Sequence, residues 1–173
     1  IGYAWDNTNS ILDPTHGFRI GLKTTPWTGT FEKSVTFVTT ELDGSTYVSF
    51  DSEDRVVLGL RASFGTSLGE ELVNIPSNRR FYAGGGGSIR GYAFQTVGPL
   101  DASNEPLGGR SLLTVGAELR LKITESIGIV PFYEGGNVYD ERLPDLSEPM
   151  FWAVGLGLRY YTVVGPIRFD VAF

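Results

Sequence analysis

Between Leu113 and Ile123 the chain alternates without a slip. Leu113, Val115, Ala117, Leu119, Leu121 and Ile123 are apolar, and Thr114, Gly116, Glu118, Arg120 and Lys122 stand between them. A period of two gives a strand one greasy and one wet face. Val56, Leu58, Leu60, Ala62 and Phe64 alternate in the same way with Gly59, Arg61, Ser63 and Gly65. So do Trp152, Val154, Leu156, Leu158 and Tyr160 with Ala153, Gly155, Gly157 and Arg159, and Ile167, Phe169, Val171 and Phe173 with Arg168, Asp170 and Ala172. No long window has helical periodicity, so the fold class is all-β.

Alternation suits a membrane barrel and a soluble sandwich alike, and three features favour an antiparallel transmembrane β-barrel. The strands run to about ten residues, the length a tilted strand needs to cross a bilayer, whereas soluble strands are about half that. The polar face is rich in glycine and charge, which a water-filled lumen tolerates. Trp27, Tyr139, Phe151, Trp152, Tyr160 and Tyr161 fall near strand ends, as interfacial girdles do. No apolar run is long enough for a membrane helix. At 173 residues and 41% hydrophobic content the chain (1-173) fills a single domain. It has no cysteine, which excludes disulfides and thiolate chemistry, and its net charge of -6 is spread through loops, so no nucleic-acid partner is expected. It opens at Ile1 inside a strand-like segment with no signal peptide, which suggests a piece of a longer mature protein.

Eight strand candidates follow, at about Ile1–Asp6, Phe18–Thr25, Ser34–Phe50, Arg55–Ser67, Ser111–Ile123, Ile127–Tyr139, Phe151–Thr162 and Pro166–Phe173. Tight turns at Asp51–Asp54, Thr124–Ser126 and Val163–Gly165 alternate with longer loops at Pro26–Lys33, 68–110 and Asp140–Met150, as short periplasmic turns alternate with long external loops. Asn7–Gly17 reads as a periplasmic turn of unusual length. Eight is an even number, and small closed barrels of about eight strands exist. Loop 68–110 is too long for an idle connection, and Phe81, Tyr82, Ile89, Tyr92 and Phe94 make it too apolar for a solvated tail. The barrel interior is the nearest place for it to pack.

That loop carries Gly84-Gly85-Gly86-Gly87-Ser88-Ile89-Arg90-Gly91-Tyr92. A lone glycine run is more often a flexible surface loop with a solvated arginine, but an acidic partner is available. With Ile127 and Ile129 toward lipid, Phe132, Glu134 and Gly136 face the lumen, within reach of Arg90. Guanidinium and carboxylate would form a bidentate, charge-assisted pair, costly to break once buried. The glycines let the backbone approach the wall and adopt positive φ. No G-x-G-x-x-G pattern is completed, and His16, the single histidine, sits in a turn without a serine and acid, so no catalytic residue, metal or cofactor is expected and the chain is not read as an enzyme.

Phe81-Tyr82-Ala83-Gly84-Gly85 with Ser88-Ile89-Arg90-Gly91-Tyr92 resembles the sixth-loop signature of the superfamily of outer-membrane insertases and secretion pores that includes BamA and TamA. In that family the loop arginine meets an aspartate on the thirteenth strand. Phe132-Tyr133-Glu134-Gly135-Gly136 is similar to that strand's motif, with Glu134 replacing the aspartate. The residues beside Arg90-Gly91, Val164-Gly165-Pro166-Ile167-Arg168-Phe169-Asp170 and Pro106-Leu107-Gly108-Gly109-Arg110-Ser111 look closest to the TamA branch.

The resemblance implies the eighth to fifteenth strands of a sixteen-stranded barrel, with loop 68–110 in the lumen and the POTRA domains absent from this stretch. It implies a bacterial outer-membrane setting, and partners that are outer-membrane lipids, unfolded β-barrel or autotransporter clients, and an inner-membrane-anchored, periplasm-spanning TamB-like protein reached through the POTRA domains. The implied function is insertion and assembly of clients at a weak seam between first and last strands. A two-partner secretion pore, a passive porin-like channel with Arg61, Arg90 and Arg120 setting ion preference, and a soluble β-sandwich adhesin are the alternatives.

Overall fold

The computed structural model describes residues 1–30, 34–163 and 165–173. Among them eight strands form one antiparallel sheet in sequence order: β1 (Gly2–Asp6), β2 (Gly17–Thr30), β3 (Ser34–Ser49), β4 (Val56–Leu68), β5 (Ser111–Lys122), β6 (Ile127–Tyr139), β7 (Phe151–Thr162) and β8 (Gly165–Ala172). β1 and β8 end the sheet and do not pair with each other, so these eight strands do not close into a small barrel of their own. From β2 to β7 the strands have 12 to 16 residues, at or beyond the span of a tilted membrane strand. No described helix is long and apolar enough to cross a membrane; here the strands are what can cross.

The period of two survives intact. On one face Leu60, Val154, Leu156 and Phe169 stand 43%, 57%, 55% and 68% exposed, and Tyr133 stacks flat on Trp152 at 4.9 Å. A continuous apolar face of this kind matches hydrocarbon, not water. The opposite face holds the charged and glycine positions, and loop 68–110 lies on it. Ala83, Ile89 and Val97 from the loop bury against Val138 and Ala153 of the wall, with Phe81, Tyr92 and Leu112 packed alongside.

The structure corrects several expectations. Pro26–Thr30 belongs to β2 rather than to a loop, and Pro26 pairs across to Val38. Thr24 donates its N–H to the Ile1 carbonyl, so Pro26, two residues on, turns its missing N–H to the β1 side of β2 and costs no bond of the β2–β3 ladder. The rest of that loop, residues 31–33, lies outside the described residues, as does Val164 of the last turn. The aromatic girdle is smaller than expected. Trp152 and Tyr160 face outward, but Trp27, Phe151 and Tyr161 share the inner face, where Arg79 and Tyr92 of the inward loop meet Trp27 and Phe151 and Lys122 meets Tyr161, and Tyr139 is fully buried. Phe94 is 76% exposed, so not every large apolar group of the loop packs on the wall.

Candidate functional site: an ionic clasp on the inner face

The loop reaches the site by bridging back on itself, Phe81 against Gly109 and Ala83 against Val97. Ser88 then caps a tight turn, its Oγ accepting the Gly84 N–H at 2.8 Å while its own N–H donates to Gly85 at 3.1 Å. Gly84 and Gly85 have φ of +109° and +90°; Gly86 and Gly87 do not adopt positive φ and face open space, so only the first half of the run needs glycine. Ile89 is 0% exposed and anchors the turn, a burial that contributes about 1.5–3 kcal/mol. Gly91 has φ +98° and sits where a Cβ would stand 3.2 Å from the Ala172 Cβ and 3.3 Å from the Ala153 Cβ. Tyr92 donates its hydroxyl to the Trp152 carbonyl at 3.0 Å and sets its ring edge-on to Phe151.

Arg90 is thus brought onto Glu134, which is 1% exposed. The pairing differs from the side-by-side fork expected. Nε, at 2.9 Å, and Nη2 of Arg90 both donate to Glu134 Oε1, while Oε2 accepts the Arg90 backbone N–H at 2.9 Å. The guanidinium carbon stands over the Phe132 ring, 3.5 Å from its centre. Gly136 follows two residues on, again on the inner face, leaving room against Thr114.

The clasp has more members than the sequence reading found. Arg61 on β4 donates to Glu134 Oε1 at 2.7 Å and to the Ser88 carbonyl at 2.6 Å. Asp170 on β8 accepts from Arg90 Nη1 at 2.7 Å through Oδ2 and from Arg159 on β7 through Oδ1. Glu118 on β5 approaches Arg90 Nη2 at 3.6 Å and binds Arg120 at 2.6 Å, and Arg120 reaches Asp13 at 3.3 Å. Four arginines therefore meet four carboxylates, Asp13, Glu118, Glu134 and Asp170.

The glycines of the inner face make room for this network. Arg61, Gly116 and Glu134 lie on one rung of the sheet, and a Cβ on Gly116 would stand 2.9 Å from Arg61 Nε and 3.3 Å from Glu134 Cγ. The signal for the missed members was present, since each apart from Asp13 is a charge at an inward strand position. Their register relative to Arg90, however, depends on strand pairings that no single strand's alternation contains. The arrangement holds no nucleophile and base pair; its chemistry is that of a charge-balanced ionic brace between a loop and the wall behind it, with Arg159 Nη2 its one buried donor left unpaired among the described residues.

The model of the Omp85 superfamily domain matches residues 1–173. The chain is 31% identical over 68% of its length to the outer membrane protein assembly factor BamA of Nitratidesulfovibrio vulgaris, covering 15% of that relative. Across its whole length it is 25% identical to the assembly factor BamA of Neisseria meningitidis serogroup B, covering 26%. It therefore spans about a quarter or less of the curated relatives it matches. The crystal structure of BamA from Haemophilus ducreyi lacking POTRA domains 1-3 superposes on 99% of the chain, using 38% of its own, with a TM-score of 0.77 at 18% identity, and so shares the fold. These relatives do not separate the BamA from the TamA branch. From a full-length family match, a barrel-wall fold and an outward apolar face, the conclusion is that this chain belongs to the Omp85 superfamily and is part of an outer-membrane protein.

Proposed function

We propose that the chain is the C-terminal wall of an outer-membrane assembly factor that inserts β-barrel clients without covalent chemistry. The observation that carries this reading is the clasp of Arg90 on Glu134, which seats loop 68–110 on the inner face of an Omp85 wall. Strand addition at an exposed edge supplies the work, since an unpaired edge offers a row of N–H and C=O groups to an incoming strand. The clasp braces the wall so that the seam between the first and last strands yields first. At the finer level, the residues beside Arg90-Gly91 and the Gly165–Asp170 segment support a TamA-like factor with autotransporter clients and a TamB-like partner engaged through POTRA domains.

The test is client assembly by the full-length protein carrying Arg90→Ala. Folded client barrels and the heat-modifiability of the factor itself are expected to fall together. Unchanged assembly with unchanged heat-modifiability defeats the reading. The inner-face arginines also suit a passive channel, and planar-bilayer conductance separates the two: steady open-pore current from the barrel without periplasmic domains supports a channel, whereas small or erratic current supports the assembly factor. Loss of a single dedicated exported protein, with other outer-membrane proteins unaffected, indicates a secretion pore.

A further inference from the structure

The segment between β1 and β2 is built as a strap rather than a slack turn. It lies at the end of the sheet that carries the short turns, since Thr15 donates its hydroxyl to Asp54 at 2.8 Å and a Cβ on Gly165 would touch Leu12. Arg19 on β2 holds its first half by donating to the Ser10 and Ile11 carbonyls at 2.7 and 3.1 Å. Asn9 holds its second half, accepting the N–H groups of Thr15 and His16. Pro14, between these anchors, is buried, and its carbonyl accepts from Arg120 at 3.0 Å. Arg120 also contacts Asp13 Oδ1 at 3.3 Å.

Arg120 has a second engagement, and it leads to the clasp. Its Nε and Nη2 bind Glu118 Oε1, at 2.8 and 2.6 Å. Glu118 turns its other oxygen, Oε2, toward Arg90 Nη2 at 3.6 Å. Asp13, Arg120, Glu118 and Arg90 therefore form an alternating chain of charge. It runs from a loop at the short-turn end to the tip of a loop that enters from the opposite end. Arg120 is 12% and Glu118 19% exposed in their side chains, so the interaction is partly shielded from solvent and salt.

We propose that Glu118 and Arg120 are positioning residues that couple the seat of the Asn7–Gly17 strap to the seat of the Arg90 loop along the inner face of the wall. Glu118 divides its two oxygens between the two arginines, so a change in what Arg120 holds alters what Glu118 presents to Arg90. Coupling of this kind is reciprocal: the seated strap favours the seated loop tip by the same free energy as the seated tip favours the strap. The two faces of the membrane thereby communicate through one side-chain chain without movement of the strands. The coupling is a property of the resting wall and needs no client, so it stands or falls separately from the assembly reading.

Hydrogen–deuterium exchange of the full-length protein in lipid nanodiscs tests it, with the Asp13→Asn and Glu134→Gln variants. Asp13→Asn, which leaves every direct contact of Arg90 in place, is expected to speed exchange both within 7–17 and within 84–92, each by about fivefold, the low end of measured couplings. Glu134→Gln is expected to speed exchange in 84–92 and, by reciprocity, in 7–17. Arg120→Lys, keeping a cation at the junction, is expected to give a smaller change at both. If Asp13→Asn changes 7–17 alone while Glu134→Gln changes 84–92 alone, the proposal is overturned. Heat-modifiability measured on the same samples confirms that each variant is folded, and an unfolded Asp13→Asn passes the decision to Glu134→Gln, where exchange in 7–17 remains the deciding reading.

Discussion

Glu134→Gln isolates the charge at the centre of the clasp while keeping its shape. Glu134 is 1% exposed and Arg90 13%, so neither partner can turn to water when the other is neutralised. Breaking a buried ion pair by removing one member costs about 3–5 kcal/mol. Two features set where in that range this site falls. Asp170 remains on Arg90 Nη1 at 2.7 Å and keeps the guanidinium partly neutralised, which lowers the cost. Arg61 is 41% exposed, so its loss of a partner is screened by water and adds little. Against this, a glutamine oxygen placed toward the guanidinium turns its NH2 toward the Arg90 backbone N–H, leaving that donor unpaired at about 1–3 kcal/mol. These effects overlap and give a destabilisation of about 3 kcal/mol. Urea unfolding of the full-length barrel in detergent micelles, read by the mobility shift between folded and unfolded bands, measures it. Arg90→Met alone is expected to cost a similar amount, and the double variant little more than either, leaving a coupling energy of about 2 kcal/mol or more. A Glu134→Gln shift below about 0.5 kcal/mol, or strict additivity in the cycle, would refute the buried-pair argument.

Gly91→Ala forces a side chain onto a backbone at φ +98° and against the Cβ atoms of Ala153 and Ala172, at a cost of about 1–3 kcal/mol; accelerated proteolysis within loop 68–110 reads it, and wild-type resistance counts against the geometry. Gly116→Ala wedges a methyl between Arg61 and Glu134, but Arg61 is exposed, so the same urea assay is expected to move by no more than about 1 kcal/mol. Asp51, in the turn between β3 and β4, has its carboxyl held below the ordinary range because it accepts the backbone N–H groups of Arg55, Val56 and Glu53. A depressed folded value means the stabilisation is present above the unfolded carboxylate value, about 4, and is lost as pH falls through the lower folded one. Asp51→Ala should therefore flatten the acid side of the stability profile; identical profiles for both proteins would contradict this.

The fold was legible because one property, polarity at every second residue, survives translation from chain to sheet without knowledge of the neighbours. Leu113 to Lys122 reads the same in the sequence and on β5. The boundaries at Pro26 and the inward aromatics were not legible for a common reason: both depend on what lies beside the strand. Pro26 is tolerated in the β2–β3 ladder because its missing N–H faces away from β3, and Trp27, Phe151 and Tyr161 point inward because a folded loop and charged neighbours receive them. Arg90 and Glu134 could be named because each sits in a compact motif. Asp170, Arg159 and Glu118 could not, because what brings them together is the register across β5 to β8, which is a property of pairs of strands.

The glutamate at position 134, where the family motif has aspartate, becomes intelligible from the contacts it makes. Its Oε1 receives the guanidinium of Arg90 and its Oε2 the backbone N–H of the same residue, so the carboxylate grips both the charged end and the root of one side chain. An aspartate in the same backbone position would carry its oxygens about 1.5 Å nearer the wall. From there it keeps the Coulombic attraction but cannot hold both contacts unless the loop sinks toward β6. A Cβ built on Gly91 would stand only 3.2 and 3.3 Å from the Cβ atoms of Ala172 and Ala153, so the loop already lies low over these small residues and has little room to descend. The longer arm and the small residues beneath Gly91 are therefore one solution: the wall sets how far the loop can descend, and glutamate spans what distance is left. Glu134 thus fixes the height of the loop above the wall as well as its charge balance, and the Asp170 contact, which needs Arg90 Nη1 at that same height, depends on it.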